Sequence, residues 1–334
     1  MLSYCYKKPA DYIISGLFLG FFLAVTNSTI AQPASPLLTR NQSPLSLIYG
    51  IPYASPARLL DQHKSRWISS LNISNTLIEQ KGTNDQLFVD LETWQLNLFY
   101  DYGFNENWML RVQLPLIAHS GGIFDSIIDT YHQTLGLPEG LQPNLPYDQI
   151  TINFSQNNVN QINITNSTKD LGDIALQFAW QTTKLNNMAI SYWGSLKLPT
   201  GDYRNLTGSG GTDISIWAAM DYQLKNTRWL YGHAGLLYMH NNKVLKDIHN
   251  DWAAFASTGI KFQPWNSVEL KAQLELQSAI FDTDIKFMGH VYQLTFGGSY
   301  LINKKQQLDF AVAEDIRPGA SPDVNFNISW WINF

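Results

Sequence analysis

The chain has 334 residues, a formal net charge of −5, 45% hydrophobic residues and one cysteine, Cys5. A mildly acidic chain without basic runs is not built for nucleic acid, whose phosphates demand clustered Lys and Arg. With its cysteine so near the start, the rest of the chain has neither a disulfide scaffold nor a thiolate metal site.

Lys7 and Lys8 precede an apolar run at 13–25, and Thr29-Ile30-Ala31 stands before Gln32. This is the charged, apolar, small-residue order of a secretory signal peptide, with an apolar run short for a spanning anchor helix. Residues 1–31 are therefore expected to be an export leader. Its loss would take Lys7, Lys8 and Asp11 and leave a formal charge of about −6. Residues 32–65 carry Pro33, Pro36, Pro44, Pro52 and Pro56 with little periodicity, so an extended segment is expected. Its apolar patch at 45–51 makes it a candidate lumen plug, whereas a periplasmic tail is the competing reading.

From residue 66 onward the pattern has period two, the signature of strands with one apolar and one polar face. Strands are expected at 66–79, 85–102, 107–119, 170–182, 187–199, 211–223, 227–241, 251–263, 267–281, 287–301, 306–316 and 323–334. The clearest has Val268, Leu270, Ala272, Leu274 and Leu276 on one face, with Glu269, Lys271, Gln273 and Glu275 on the other. A phase change near 92–94 reads as a β-bulge. A barrel strand needs only about 9–11 residues to cross a bilayer, with every second one apolar.

Connections at 103–106, 183–186, 224–226, 264–266 and 302–305 are short, whereas 120–169, 200–210 and 242–250 are long. That alternation fits an all-β, antiparallel, up-and-down transmembrane β-barrel of about twelve strands over 66–334. An even count puts both termini on the periplasmic side. The long insertion at 120–169 should be extracellular, with a short helix near 124–137 whose Phe124, Ile127, Ile128, Tyr131 and Leu135 share a face. Residues 148–167 belong to this outer extension and could form an additional hairpin. Tyr100, Tyr102, Trp108, Trp180, Tyr222, Trp229, Trp265, Tyr300 and Trp330 gather at the short-turn end, as an interfacial girdle requires. A secreted β-sandwich is the soluble alternative.

The final strand places Val324, Phe326, Ile328, Trp330, Ile332 and the terminal Phe334 on one apolar face. Its residues Phe326, Ile328, Trp330, Ile332 and Phe334 resemble the carboxy-terminal assembly signal of Gram-negative outer-membrane barrels. The resemblance implies the cell outer membrane as location. Its implied partners are membrane lipid, lipopolysaccharide, the barrel-assembly machinery and periplasmic chaperones.

Alternation turns Arg111, Lys197, Asp213, Asp221, Glu269, Lys271, Glu275 and Asp309 toward the lumen. Such charges either form a ladder that selects solutes or pair and close the bore. Asp125, Asp129 and His132 have helical spacing in the insertion and could bind metal or activate water, although a solvated helix face has the same pattern. The only His-x-Ser sequence, at 63–65, precedes the first strand and does not read as a barrel-hydrolase pair. Gly208-Ser209-Gly210-Gly211 lacks the Lys and the following helix of a phosphate loop. No cofactor is expected.

Asn41-Gln42-Ser43-Pro44-Leu45, Tyr49-Gly50-Ile51-Pro52, Leu114-Pro115-Leu116 and His119-Ser120-Gly121-Gly122 form one set with Leu137-Pro138-Glu139-Gly140. Ile128-Asp129 with His132, and Gly208-Ser209-Gly210 with Asp213, belong to it too, and Leu171-Gly172-Asp173-Ile174 and Leu196-Lys197-Leu198-Pro199-Thr200-Gly201-Asp202 complete it. Together they resemble a domain-of-unknown-function family of Gram-negative outer-membrane β-barrel proteins. The last two pieces are also similar to barrels linked to aromatic-compound (meta-pathway phenol) degradation. Neither resemblance brings functional residues. A narrow channel or transporter for small solutes, hydrophobic ones included, is the first expectation. A structural or surface-interaction barrel comes second and an outer-membrane hydrolase third.

Overall fold

A computed structural model of the protein describes residues 35–122, 149–322 and 324–334. Its strands are β1 (Ser65–Lys81), β2 (Asp85–Gly103), β3 (Trp108–Ser120), β4 (Thr151–Gln156), β5 (Val159–Ile164), β6 (Thr168–Leu171), β7 (Ala175–Lys184) and β8 (Met188–Lys197). They continue as β9 (Thr212–Lys225), β10 (Arg228–His240), β11 (Trp252–Trp265), β12 (Val268–Gln277), β13 (Val291–Asn303), β14 (Gln306–Asp315) and β15 (Val324–Asn333). Twelve of these, β1–β3 and β7–β15, make a closed antiparallel barrel. The first strand closes it: Ile68 lies opposite Phe99 of β2 on one side and opposite Trp331 of β15 on the other. Closure gives each wall strand a neighbour on both sides for its N–H and C=O groups, which lipid cannot satisfy.

Burial alternates along most wall strands, as β9 illustrates with inward Asp213, Ser215, Trp217, Ala219 and Asp221 between outward Ile214, Ile216 and Met220. Outward Leu236, Phe296, Phe310 and Ile328 extend the same exposed apolar band around the wall. A band of that extent is a lipid-facing surface. Tyr100, Trp108, Trp180, Tyr222, Trp265, Tyr300 and Trp330 lie exposed toward the short-turn end, with Trp108 and Trp180 stacked at 5.8 Å. Trp229 departs from the expected girdle. It is an inward residue of β10, buried beneath the guanidinium of Arg58 at 5.2 Å.

The insertion is partly built into the wall. The upper part of β2, from Asp85 to Asp90, pairs with β4, while its lower part pairs with β3. Likewise β3 gives its upper end to β6 and its lower end to β7. The hairpin of β4 and β5 extends the sheet alongside the upper part of β2 and buries Ile152 and Phe154 completely. The expected helix near 124–137, with Asp125, Asp129 and His132, lies outside the described residues.

No bulge interrupts β2. Its register with β1 runs unbroken from Ser65↔Tyr102 to Lys81↔Gln86, and its register with β3 is equally regular. What changes near Thr93 is the polarity of one continuous inward face. Leu87, Val89 and Leu91 line it above, and Thr93, Gln95 and Asn97 line it below. The apolar half is buried because an apolar cluster fills the long-loop end of the barrel, built on Leu45, Leu47, Ile48, Tyr49 and Ile51.

Candidate functional site: the barrel interior

Residues 35–60 run inside the barrel, with most of their side chains buried, and residues 61–64 lie exposed before β1. The segment ascends beside β12. Lys271 donates to the Ser35 hydroxyl at 3.0 Å, the Leu37 N–H donates to Gln273 at 3.2 Å, and the Thr39 hydroxyl donates to Glu275. Every second residue of the segment thus meets every second residue of the strand, so two extended backbones rise in step.

The chain reverses near the long-loop end, where the N–H groups of Ser46 and Leu47 donate to the Ser43 carbonyl at 2.9 Å. Arg40 clasps the reversal from within by donating to the carbonyls of Leu47 (2.6 Å), Tyr49 (3.2 Å) and Ile51. A planar guanidinium with five fixed donors suits three converging carbonyls, which an ammonium would serve less well. At the tip the Gly50 N–H donates to Asp213 at 2.8 Å and its carbonyl accepts from Ser215 at 2.6 Å. A Cβ at Gly50 would stand 2.9 Å from that of Asp213, so the approach requires glycine.

The descent is also held by wall side chains. The Tyr53 hydroxyl donates to Gln95 at 2.7 Å and accepts from Asn97 at 2.9 Å. Gln181 donates to the Ala57 carbonyl at 2.8 Å, and Arg58 pairs with Asp221 at 3.2 Å. The segment therefore starts and finishes at the short-turn end.

All eight lumen-facing candidates lie on inward faces, and seven are buried, with Glu275 half-buried. Each is engaged. Arg111 holds Asp101 at 2.6 Å, and Arg66 takes the same carboxylate at 2.7 Å. Glu269 lies 2.8 Å from Lys261 and 3.4 Å from Lys271. Asp309 accepts from the Trp331 indole at 2.8 Å and from Gln307 at 2.6 Å. Lys197 binds Asp173 and Asp213, and also donates to the Ile48 carbonyl at the tip of the segment (3.3 Å). The pattern is mutual pairing, which keeps buried charge tolerable.

Asp101 and Lys261 were not among the candidates, although both follow the inward alternation of their strands. Arg40 and Arg58 belong to the aperiodic segment and carry no such signal. The Leu-Gly-Asp and Leu-Pro-Thr-Gly-Asp pieces meet at the rim. There Asp173 accepts from the N–H groups of Gly201 (2.8 Å) and Ser209 (2.9 Å), while the Thr200 hydroxyl donates to the Gly172 carbonyl (2.8 Å). They form a structural clasp above Lys197.

In the loop between β10 and β11, His249 packs on Tyr49 at 5.2 Å and Phe281 at 6.0 Å. Burial pushes its imidazole below the ordinary value; Asp251 opposes the shift and Lys197 adds to it. Among the described residues no cluster of His, Cys, Asp and Glu could hold a metal ion. The terminal set Phe326, Ile328, Trp330 and Phe334 is exposed on the outer face of β15 and the chain end, with Ile332 half-buried beside it.

Two cavities flank the segment. One lies against β3, β7 and β8 and is lined by Ile48, Gln113, Gln177, Ser195 and Lys197. The other lies against β10–β13 and is lined by Thr39, His233, Ser257, Glu275 and Gln293. Arg40, Ile51 and Pro52 border both, so the segment is the partition between them.

The architecture has a solved counterpart. An outer membrane channel from Pseudomonas putida F1 superposes with a TM-score of 0.56 at 12% identity, over 83% of this chain and 98% of that one. The CymD monoaromatic hydrocarbon channel superposes with a TM-score of 0.40 at 10% identity, over 82% of this chain and 89% of that one. No curated protein matches in sequence. The family described as a protein of unknown function (DUF3187) matches residues 13–334, and the chain belongs to that family.

Proposed function

We propose that this protein is an outer-membrane channel for small solutes whose lumen is restricted by its own amino-terminal segment. The observation that carries this reading is the way residues 35–64 are held. The segment is tied to the wall by reversible hydrogen bonds and ion pairs, and it enters and leaves at one end. An insert of that kind can shift while the wall keeps its ladder intact. Without it the twelve-stranded wall would enclose a bore, since about eight strands already suffice for an interior filled by side chains. The counterpart from Pseudomonas putida F1 is itself described as an outer membrane channel. Under this reading residues 1–31 are the export leader and the short turns face the periplasm.

Planar-bilayer recording tests the proposal. The full chain should give small or brief conductance steps. Deletion of 35–57, which leaves the approach to β1 in place, should raise the conductance several-fold. A deletion variant that folds, shown by heat-modifiable electrophoretic mobility, yet stays silent would overturn the channel reading. The pairing of most lumen charges favours a second reading, a closed structural barrel, which that silence would support.

A further inference from the structure

The two cavities differ in one chemical respect. Around the cavity against β3, β7 and β8, Gln113 and Gln177 donate to neighbouring amides, and Asp173 and Lys197 pair with each other. Around the cavity against β10–β13, polar atoms with no protein partner converge: His233 Nδ1, Ser257 Oγ, Glu275 Oε2 and both amide atoms of Gln293. From the segment's side the cavity is bordered by Arg40 and Asn41, whose Nε and Nδ2 are likewise unpartnered. Gln293 is 0% exposed, Ser257 5% and His233 7%. Buried polar groups are almost always satisfied, so a concentration in one place marks a position where a hydrogen-bonding guest belongs.

The register explains how these residues meet. His233 lies directly opposite Ser257, Ser257 opposite Glu275, and Glu275 opposite Gln293. They form one horizontal row across four neighbouring strands. Directly opposed residues of adjacent strands have Cβ atoms about 4.5–5.5 Å apart, so the four polar side chains line one continuous strip of the cavity wall.

We infer that this row is a binding subsite for a small uncharged polyol, a solute whose hydroxyls each donate and accept. This rests on the channel reading and deepens it by naming the solute class. An apolar solute would displace water from the row and leave its donors and acceptors unsatisfied. An anion would face Glu275, while the nearest cation, Arg40, already serves three carbonyls. A cation would find one half-buried carboxylate whose other oxygen already accepts from Thr39 and Gln273. A neutral solute with several hydroxyls matches the mixed donors and acceptors, and Phe255, Ile51 and Pro52 cover its carbon skeleton.

Saturation-transfer NMR on the full-length protein in detergent micelles tests this without requiring transport. Erythritol, n-butanol and tetramethylammonium serve as probes: the first two share a carbon count and differ in hydroxyls, and the third carries charge. The wild type should transfer saturation to erythritol. The double variant Gln293→Met with Ser257→Ala should lose that transfer at least five-fold, and Gln177→Met, in the other cavity, should keep it. Gln293→Met alone serves if the double variant fails to fold. The inference is overturned if erythritol shows no transfer, if the loss does not follow Gln293, or if butanol or tetramethylammonium gives the Gln293-dependent signal instead. Because binding is read on the intact chain, its failure is separable from the conductance result that decides the channel reading.

Discussion

Asp101 shows what a single inward carboxylate does in this barrel. It accepts from Arg66 and Arg111, both within 3 Å, and is itself fully buried. Truncating it would leave two buried guanidiniums sharing no counter-charge, so Asp101→Ala should destabilise the barrel by about 3–5 kcal/mol, measurable by urea unfolding in lipid. An unchanged midpoint would mean that water reaches the pair. His249 makes a prediction of opposite character. Its depressed folded-state value means that the unfolded or undocked state takes up the proton first as pH falls. The packing it contributes is therefore complete above the ordinary imidazole value of about 6.5 and is lost as pH drops through that value toward the depressed one. Because its ring rests on Tyr49, acidification from pH 7.5 to 5 should raise open probability in bilayers. His249→Phe should abolish that dependence, and a rise that persists in the variant would assign it elsewhere.

At the scale of elements, residue alternation decided the wall but misled at two places, for one reason. The apparent phase change in β2 and the placement of Trp229 in the girdle both assumed a polar interior and an apolar exterior throughout. The interior is apolar where the tip of residues 35–64 packs against Leu87, Val89 and Leu91, and aromatic beneath Arg58. A strand there turns apolar residues inward without any change of register. The last strand makes a prediction of its own. Phe334 extends the outward face of β15 beyond its pairing with β1, and its N–H donates to the Ser65 carbonyl at 2.9 Å. If the final face is an assembly signal, deleting Phe334 should lower the folded fraction recovered in outer membranes several-fold. The same variant refolded in detergent should keep near wild-type unfolding behaviour. Equal losses in both would make the residue a stability element only.

For the molecule as a whole, the strand boundaries, the short and long connections and the closed topology follow from period-two alternation, because every wall residue must choose lipid or lumen. The eight lumen-facing positions were legible for the same reason. What fills the lumen was not. Residues 35–64 have no period, and their partners lie as much as 289 positions away, as when Asn327 donates to the Leu38 carbonyl. Nor could alternation say which charges pair, since Lys197 meets Asp173 and Arg111 meets Asp101 only through registers across neighbouring strands. The row His233, Ser257, Glu275 and Gln293 is likewise invisible along the chain and exists only once four strands are aligned. A local pattern reports the solvent that each face of a strand meets. Contacts across the lumen depend on closure, and closure is a property of the folded barrel alone.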